Sequence, residues 1–210
     1  MKTAAVGILL AISVLLSTTA LGLAVIHISD YPYLSDIGPL EISESSGLSR
    51  EEMMENYNAV MAYLSPFADS SFSLPTLNWT AVSVTHFADV KTVFNYIYIF
   101  GALCALVLFQ PGVRRLISHK ILRISGFVTL LVPAVIALSI AVDFDWTFNF
   151  FHSIFFNGST WLLDPNTDGI IKILPSTFFL HCALFIAAFW LVAAFVQLKI
   201  GYSSKRTRKA

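Results

Sequence analysis

The chain has 210 residues, 56% of them hydrophobic and only 12% charged, with 18 Phe. Soluble domains carry about 25% charged residues, so a water-soluble fold of this size is excluded: it could not hide so much apolar surface. The net charge of zero conceals a segregation, because all 13 acids fall within 29–91 or 143–175, whereas ten of the 13 bases lie outside those segments.

The first element is the apolar run Ala4–Ile28. Its 25 residues exceed the roughly 7–15 of a signal-peptide core, so residues 1–28 are expected to stay as a transmembrane anchor. Segment 29–91 carries most of the acids and is expected to form a small, mostly helical extracellular cap. Within it, Ser49 and Glu52 in "SREEMMENYNAVMAYL" form a capping box. Met53, Tyr57, Val60, Met61 and Leu64 then recur at helical spacing. "SDIGPLEIS" and "LPTLNWTAVSV" read as irregular or weakly strand-like.

Three further runs, 92–110, 124–142 and 176–198, are each long enough to cross a hydrocarbon core of about 30 Å as helix. Between them lie a basic loop, 111–123, and an aromatic segment, 143–175, with a helix expected near 146–156 and turns at Asn157-Gly158 and Asp164-Pro165. The basic tail 199–210 follows, expected to be disordered and close to anionic lipid. Lys2, the 111–123 loop with Arg114, Arg115, Lys120 and Arg123, and the tail carry the bases. Short cytoplasmic loops accumulate Lys and Arg. The expectation is therefore an all-α integral membrane protein with four transmembrane helices, both termini cytoplasmic, and segments 29–91 and 143–175 outside. Cys104 and Cys182 are expected at depths differing by roughly 10 Å in their spans, and so unpaired.

Two histidines stand at the outer boundary. His86 and Asp89, in "THFADVKTVF", are three residues apart and share a helical face. Thr85 reads as the N-cap, and Asp89 as the group that orients His86. His152 sits in "NFFHSIFF" among four Phe and one Ile. An imidazole enclosed by rings loses solvation of its charged form, and stays neutral and basic near pH 7. His27, His119 and His181 read as interface, loop and bundle residues. There is no phosphate-binding glycine loop, no zinc-finger spacing and no nucleic-acid motif.

The stretches "HFADVK", "YNAVMAYL" and "FHSIFFNGSTWLLDPNTDGIIKILPSTFF" resemble the bacterial lipoprotein intramolecular transacylase family, and the four-span layout matches it across the chain. That resemblance implies an enzyme of the bacterial cytoplasmic membrane with its active site facing outward. Its substrate would be a diacylglyceryl lipoprotein in the outer leaflet, whose sn-2 acyl chain moves to the α-amino group of the N-terminal cysteine. It also implies a catalytic histidine pair, at His86 and His152. On the residues themselves, Asp89 would raise the basicity of His86 and make it the base with His152 as acid, the reverse assignment staying open, and Phe151, Phe155, Phe156 and Trp161, which flank His152 in the matched stretch, would line the substrate pocket. No cofactor, no metal, no nucleic acid and no obligate protein partner besides membrane lipids and substrate are expected.

Two other readings compete. A metal-dependent intramembrane hydrolase could use His86, Asp89 and His152, which just meets the three protein ligands that catalytic zinc needs. A non-enzymatic scaffold would leave both histidines replaceable.

Overall fold

The computed structural model describes residues 2–156 and 158–203. Among these every regular element is a helix: α1 Lys2–Ile28, α2 Tyr31–Asp36, α3 Ile42–Ser46, α4 Arg50–Leu64, α5 Ala81–Phe109, α6 Pro111–Leu116, α7 His119–Val142, α8 Phe144–Phe155, α9 Ile170–Ile173 and α10 Ser176–Ser203. Four of them, α1, α5, α7 and α10, are long and apolar enough to cross a membrane. The protein is thus an all-α integral membrane protein. The basic tail from 204 onward lies outside the described residues.

The helices outrun the apolar runs. α5 starts at Ala81, eleven residues before the hydropathic run at 92, and α7 starts at His119, five before 124. Hydropathy stops at the first charges, but backbone hydrogen bonding does not. Thr85, expected as a cap, donates its hydroxyl to Ala81 O inside the helix. The cap is Thr80, whose Oγ1 accepts from Val82 N at 3.2 Å.

The chain divides into two compact units. The first is built from Met1–Ala24, Ile97–Phe144 and Leu184–Ala210, and is apolar on its outside: Leu9, Leu138, Val192 and Phe195 are each more than 60% exposed. Lipid tails are as apolar as these side chains, so helices here associate by close packing and polar contacts. Gly101 illustrates the first: a Cβ there would collide with Ala20 and with Leu16 O, so only glycine lets α1 and α5 approach this closely. Ser17 then donates across the contact to Gly101 O at 3.1 Å. Trp190 donates to Thr19 Oγ1 at 3.0 Å, and Gln197 to the buried Thr129 at 3.4 Å.

The second unit comprises Val25–Tyr96 and Asp145–Ala183, with a conventional core. Met53, Tyr57, Val60 and Leu64, the stripe of α4, are all at most 3% exposed. Tyr57 stacks on Tyr33 with ring centroids 4.2 Å apart, and Phe178 meets the Tyr33 ring edge-on at 5.5 Å. Both halves of the Ser49–Glu52 capping box form. The stretches expected as irregular or strand-like resolve into α2, α3 and an irregular run ending at Thr80. That run is held by Asn56, which is fully buried. Its amide donates to Glu52 O at 2.7 Å and to Thr76 Oγ1 at 2.5 Å, and its carbonyl accepts from Thr76 N and Leu77 N, both at 3.3 Å.

Asn56→Ala removes all four bonds and is expected to lower stability by about 2 kcal/mol. Glu55→Ala, on the exposed face of the same helix, should stay within about 0.5 kcal/mol. Thermal unfolding of the two variants in detergent measures the difference.

Candidate active site

The site grows from the N-terminal turns of α5 and from α8 with the segment after it, all within the second unit. Thr80 caps α5, Ser83 is fully buried one turn later, and His86 follows on the same face, three residues on. His86 packs edge-on against Phe87 at 5.4 Å and Phe156 at 5.0 Å. Its Nδ1 is enclosed and has no hydrogen-bond partner among the described residues, which leaves Nε2 as the nitrogen that can meet substrate.

His152 lies near the end of α8. Its ring is 6.2 Å from that of His86, centroid to centroid, with planes tilted by 31°. Aromatic rings enclose it: Phe148 at 4.1 Å, Trp161 at 5.0 Å, and Phe151 and Phe156 both at 5.5 Å. Nδ1 is 2.7 Å from the Phe148 carbonyl oxygen. A carbonyl can only accept, so Nδ1 carries the proton, and in the neutral ring Nε2 holds a free lone pair. Burial lowers the pKa of His152 from the ordinary 6.5, with the bond to Phe148 O acting weakly the other way. The net result is a neutral base at pH 7.

The other expected residues divide. Phe156 is 8% exposed and touches both imidazoles. Trp161 packs on His152, and its indole Nε1 is buried without a partner among the described residues. Phe151 meets His152, whereas the ring contact of Phe155 is with Phe151, at 4.8 Å. Asp89 is half-buried, and among the described residues no hydrogen bond or ion pair joins it to His86. The i, i+3 spacing brings the two onto one face without bonding them. Nor do His86, Asp89 and His152 form a metal-binding cluster: among the described residues no group of three or more His, Cys, Asp or Glu could hold a metal ion.

One carboxylate escaped the sequence reading. Asp168 is 3% exposed and accepts from Thr80 N at 3.0 Å, Thr80 Oγ1 at 2.7 Å, the Ser83 hydroxyl and Thr167 Oγ1 at 2.8 Å. Burial alone would raise its pKa. The hydroxyls of Ser83, Thr80 and Thr167, with the Thr80 N–H, more than offset that and hold it below the ordinary 3.8. Its neighbour Asp164 builds the turn, accepting from Asn166 N at 2.9 Å. The only sequence signal was the position of Asp168 inside the long family-like stretch, with nothing to separate it from a solvated turn acid.

Next to His152, on the far side of the Phe148 and Trp161 rings, lies an open hollow of about 370 Å³, whose walls include Phe148, Asn149, Trp161, Leu163, Asp164 and Pro165. Phe148 and Trp161 thus face both the cavity and the His152 ring. The remaining histidines serve elsewhere: His181 Nδ1 pairs with Asp36 at 2.9 Å, His27 Nε2 meets Ser65 Oγ at 3.0 Å, and His119 Nδ1 meets Ile200 O at 3.0 Å. Cys104 and Cys182 are both free thiols.

Against this geometry, the family model described as "Lipoprotein intramolecular transacylase Lit" matches residues 7–179. The chain belongs to the lipoprotein intramolecular transacylase family. Its fold is also similar to that of a solved relative, the membrane-integral lipoprotein intramolecular transacylase Lit from Bacillus cereus. The two are 27% identical, with a TM-score of 0.80 over 100% of this chain and 99% of that one. Two further structures of the Bacillus cereus transacylase carry a substitution of one histidine. The arginine variant is 26% identical with a TM-score of 0.75, over 99% and 94% of the two chains. The alanine variant is 26% identical with a TM-score of 0.74, over 100% and 96%. No curated protein sequence matches. As a member of the transacylase family, the chain is a multi-pass membrane acyltransferase that acts on lipoproteins.

The His152 tautomer is directly measurable in this transacylase. Nitrogen-15 spectra of ring-labelled histidine, assigned with His152→Ala, should show Nδ1 protonated and Nε2 bare at pH 7. The ring should take up its second proton only below pH 6.5.

Proposed function

We propose that the protein moves the sn-2 acyl chain of a diacylglyceryl lipoprotein onto the α-amino group of its N-terminal cysteine, at the outer leaflet of the bacterial cytoplasmic membrane. Both termini and the 111–123 loop are cytoplasmic in this reading, as the placement of Arg114, Arg115, Lys120 and Arg123 supports. The single observation that carries the mechanism is the pairing of two imidazoles 6.2 Å apart inside a shell of aromatic rings.

The reaction closes a ring of eight atoms in the substrate: N, Cα, Cβ, S, two glyceryl carbons, the ester oxygen and the acyl carbon. Medium rings close poorly in solution. A shaped site that holds the bent conformer can contribute about 7–11 kcal/mol through orientation. Phe151, Phe156 and Trp161 are proposed to fold the substrate, with Phe155 supporting Phe151.

The geometry favours His152 rather than His86 as the base. With Nδ1–H given to the Phe148 carbonyl, Nε2 of His152 takes a proton from the amine as nitrogen attacks the ester carbon. The same nitrogen then returns it to the sn-2 oxygen as the C–O bond breaks, so the proton count balances and the reaction is an isomerisation. His86 presents Nε2–H to the charge that develops on oxygen. One such donor typically contributes about 10²–10³ in rate. Asp89, which lacks a bond to His86, has no assigned step.

Turnover is read as loss of free amine and gain of an acyl group on the N-terminal fragment, with the mass of the intact lipopeptide unchanged. His86→Ala and His152→Ala should each lower it by at least about 100-fold while the protein stays folded in detergent, and Asp89→Asn should stay within about threefold of the parent. Free fatty acid as the main product would assign a hydrolase instead. Mixed isotopic substrates should give no crossed product.

The pH dependence follows from the same assignment. The substrate amine has a reference pKa of about 8, so kcat/KM should fall tenfold per pH unit below that value. Below the pKa of His152, itself under 6.5, a second proton blocks the base and the fall should steepen to about a hundredfold per unit.

A further inference from the structure

We propose that the buried carboxylate of Asp168 is a positioning residue for the histidine pair: it binds the start of α5 and the segment that follows α8, and so fixes His86 relative to His152. The proposal rests on the two-histidine reading and adds a residue that touches neither ring.

Three of the four bonds to Asp168 come from residues 85 and 88 positions away in the chain. On the α5 side they take the N–H and hydroxyl of Thr80 and the hydroxyl of Ser83, one helical turn before His86. Thr80 Oγ1 also accepts from Val82 N, so the same hydroxyl caps the helix and donates to the carboxylate. On the other side, Asp168 follows Trp161, whose ring lies on His152 at 5.0 Å. The next residue reinforces the seam: Gly169 N donates to Asn78 O at 2.9 Å. A Cβ at Gly169 would come within 2.9 Å of Leu77 Cδ2 and 3.2 Å of Leu77 Cβ, so the two segments pass close together here.

The chemistry of the group explains why an acid stands there. All the partners of Asp168 among the described residues are neutral donors, and such bonds to an ionised acceptor are shorter and about twice as strong as neutral ones. A carboxylate at a helix N-terminus also meets the positive end of the helix dipole. An asparagine of the same shape keeps one acceptor oxygen but gives up the charge, and its amide cannot accept from Thr167. The seam would loosen without any atom of the pair being removed. A displacement of about 1 Å between reacting groups can cost roughly 100-fold in rate.

The test uses the full-length transacylase in detergent with a synthetic diacylglyceryl lipopeptide, kcat and KM being measured beside the unfolding temperature. Asp168→Asn should lower kcat by about 100-fold with KM changed by less than about threefold. Thr80→Val, which removes the hydroxyl from the other side, should lower kcat by about tenfold, the scale of one hydrogen bond. Thr80→Ser, which keeps it, should restore parental kcat. The double variant Asp168→Asn/Thr80→Val should be no slower than Asp168→Asn alone, since both break one seam.

A folded Asp168→Asn enzyme with parental kcat overturns the proposal. So does equal kcat loss in Thr80→Val and Thr80→Ser. Should Asp168→Asn fail to fold, the Thr80 pair decides alone. Active His86→Ala or His152→Ala would overturn the two-histidine reading itself. Inactive histidine variants beside a fully active Asp168→Asn would overturn only the role of Asp168.

Discussion

An ionised carboxylate at 3% exposure must be surrounded by donors or it will not stay ionised. At Asp168 that requirement joins two distant stretches of chain. Thr80 and Ser83 supply three of the donors and Thr167 the fourth. Satisfying the carboxylate therefore determines where α5 begins and where the segment after Trp161 must run. The cap at Thr80, the tight passage at Gly169 and the placement of His86 all follow from meeting this one electrostatic demand.

Around the imidazoles the environment is set by rings. Phenylalanine offers no hydrogen bond, so each histidine must find its polar contacts in the backbone, in the other histidine's neighbourhood or in substrate. His152 uses the Phe148 carbonyl. His86 Nδ1 and Trp161 Nε1 have no partner among the described residues.

What could be read from the chain follows the physics of each feature. Four spans were legible because a hydrocarbon core demands about 20 apolar residues in a row. The core stripe of α4 was legible because Met53, Tyr57, Val60 and Leu64 obey helical spacing. His86 and His152 were singled out by position and by their aromatic company, through a motif long enough to be specific. Asp89 was chosen as a partner because local spacing is all that a single sequence offers, and it makes no bond to His86. Asp168 was passed over because three of its four bonds come from residues 85 and 88 positions away, a pairing that only folding creates. The start of α5 was hidden for the same reason: its cap at Thr80 lies in a stretch whose composition reads as irregular.

The anchor of His152 is a main-chain oxygen, four residues back in the same helix. No replacement of the Phe148 side chain that leaves α8 intact can take that acceptor away. The Phe148 ring, meanwhile, forms part of the wall of the neighbouring cavity. Tautomer and wall therefore mutate independently. Substitutions at position 148 can thus reshape the hollow while the imidazole keeps the same nitrogen bare.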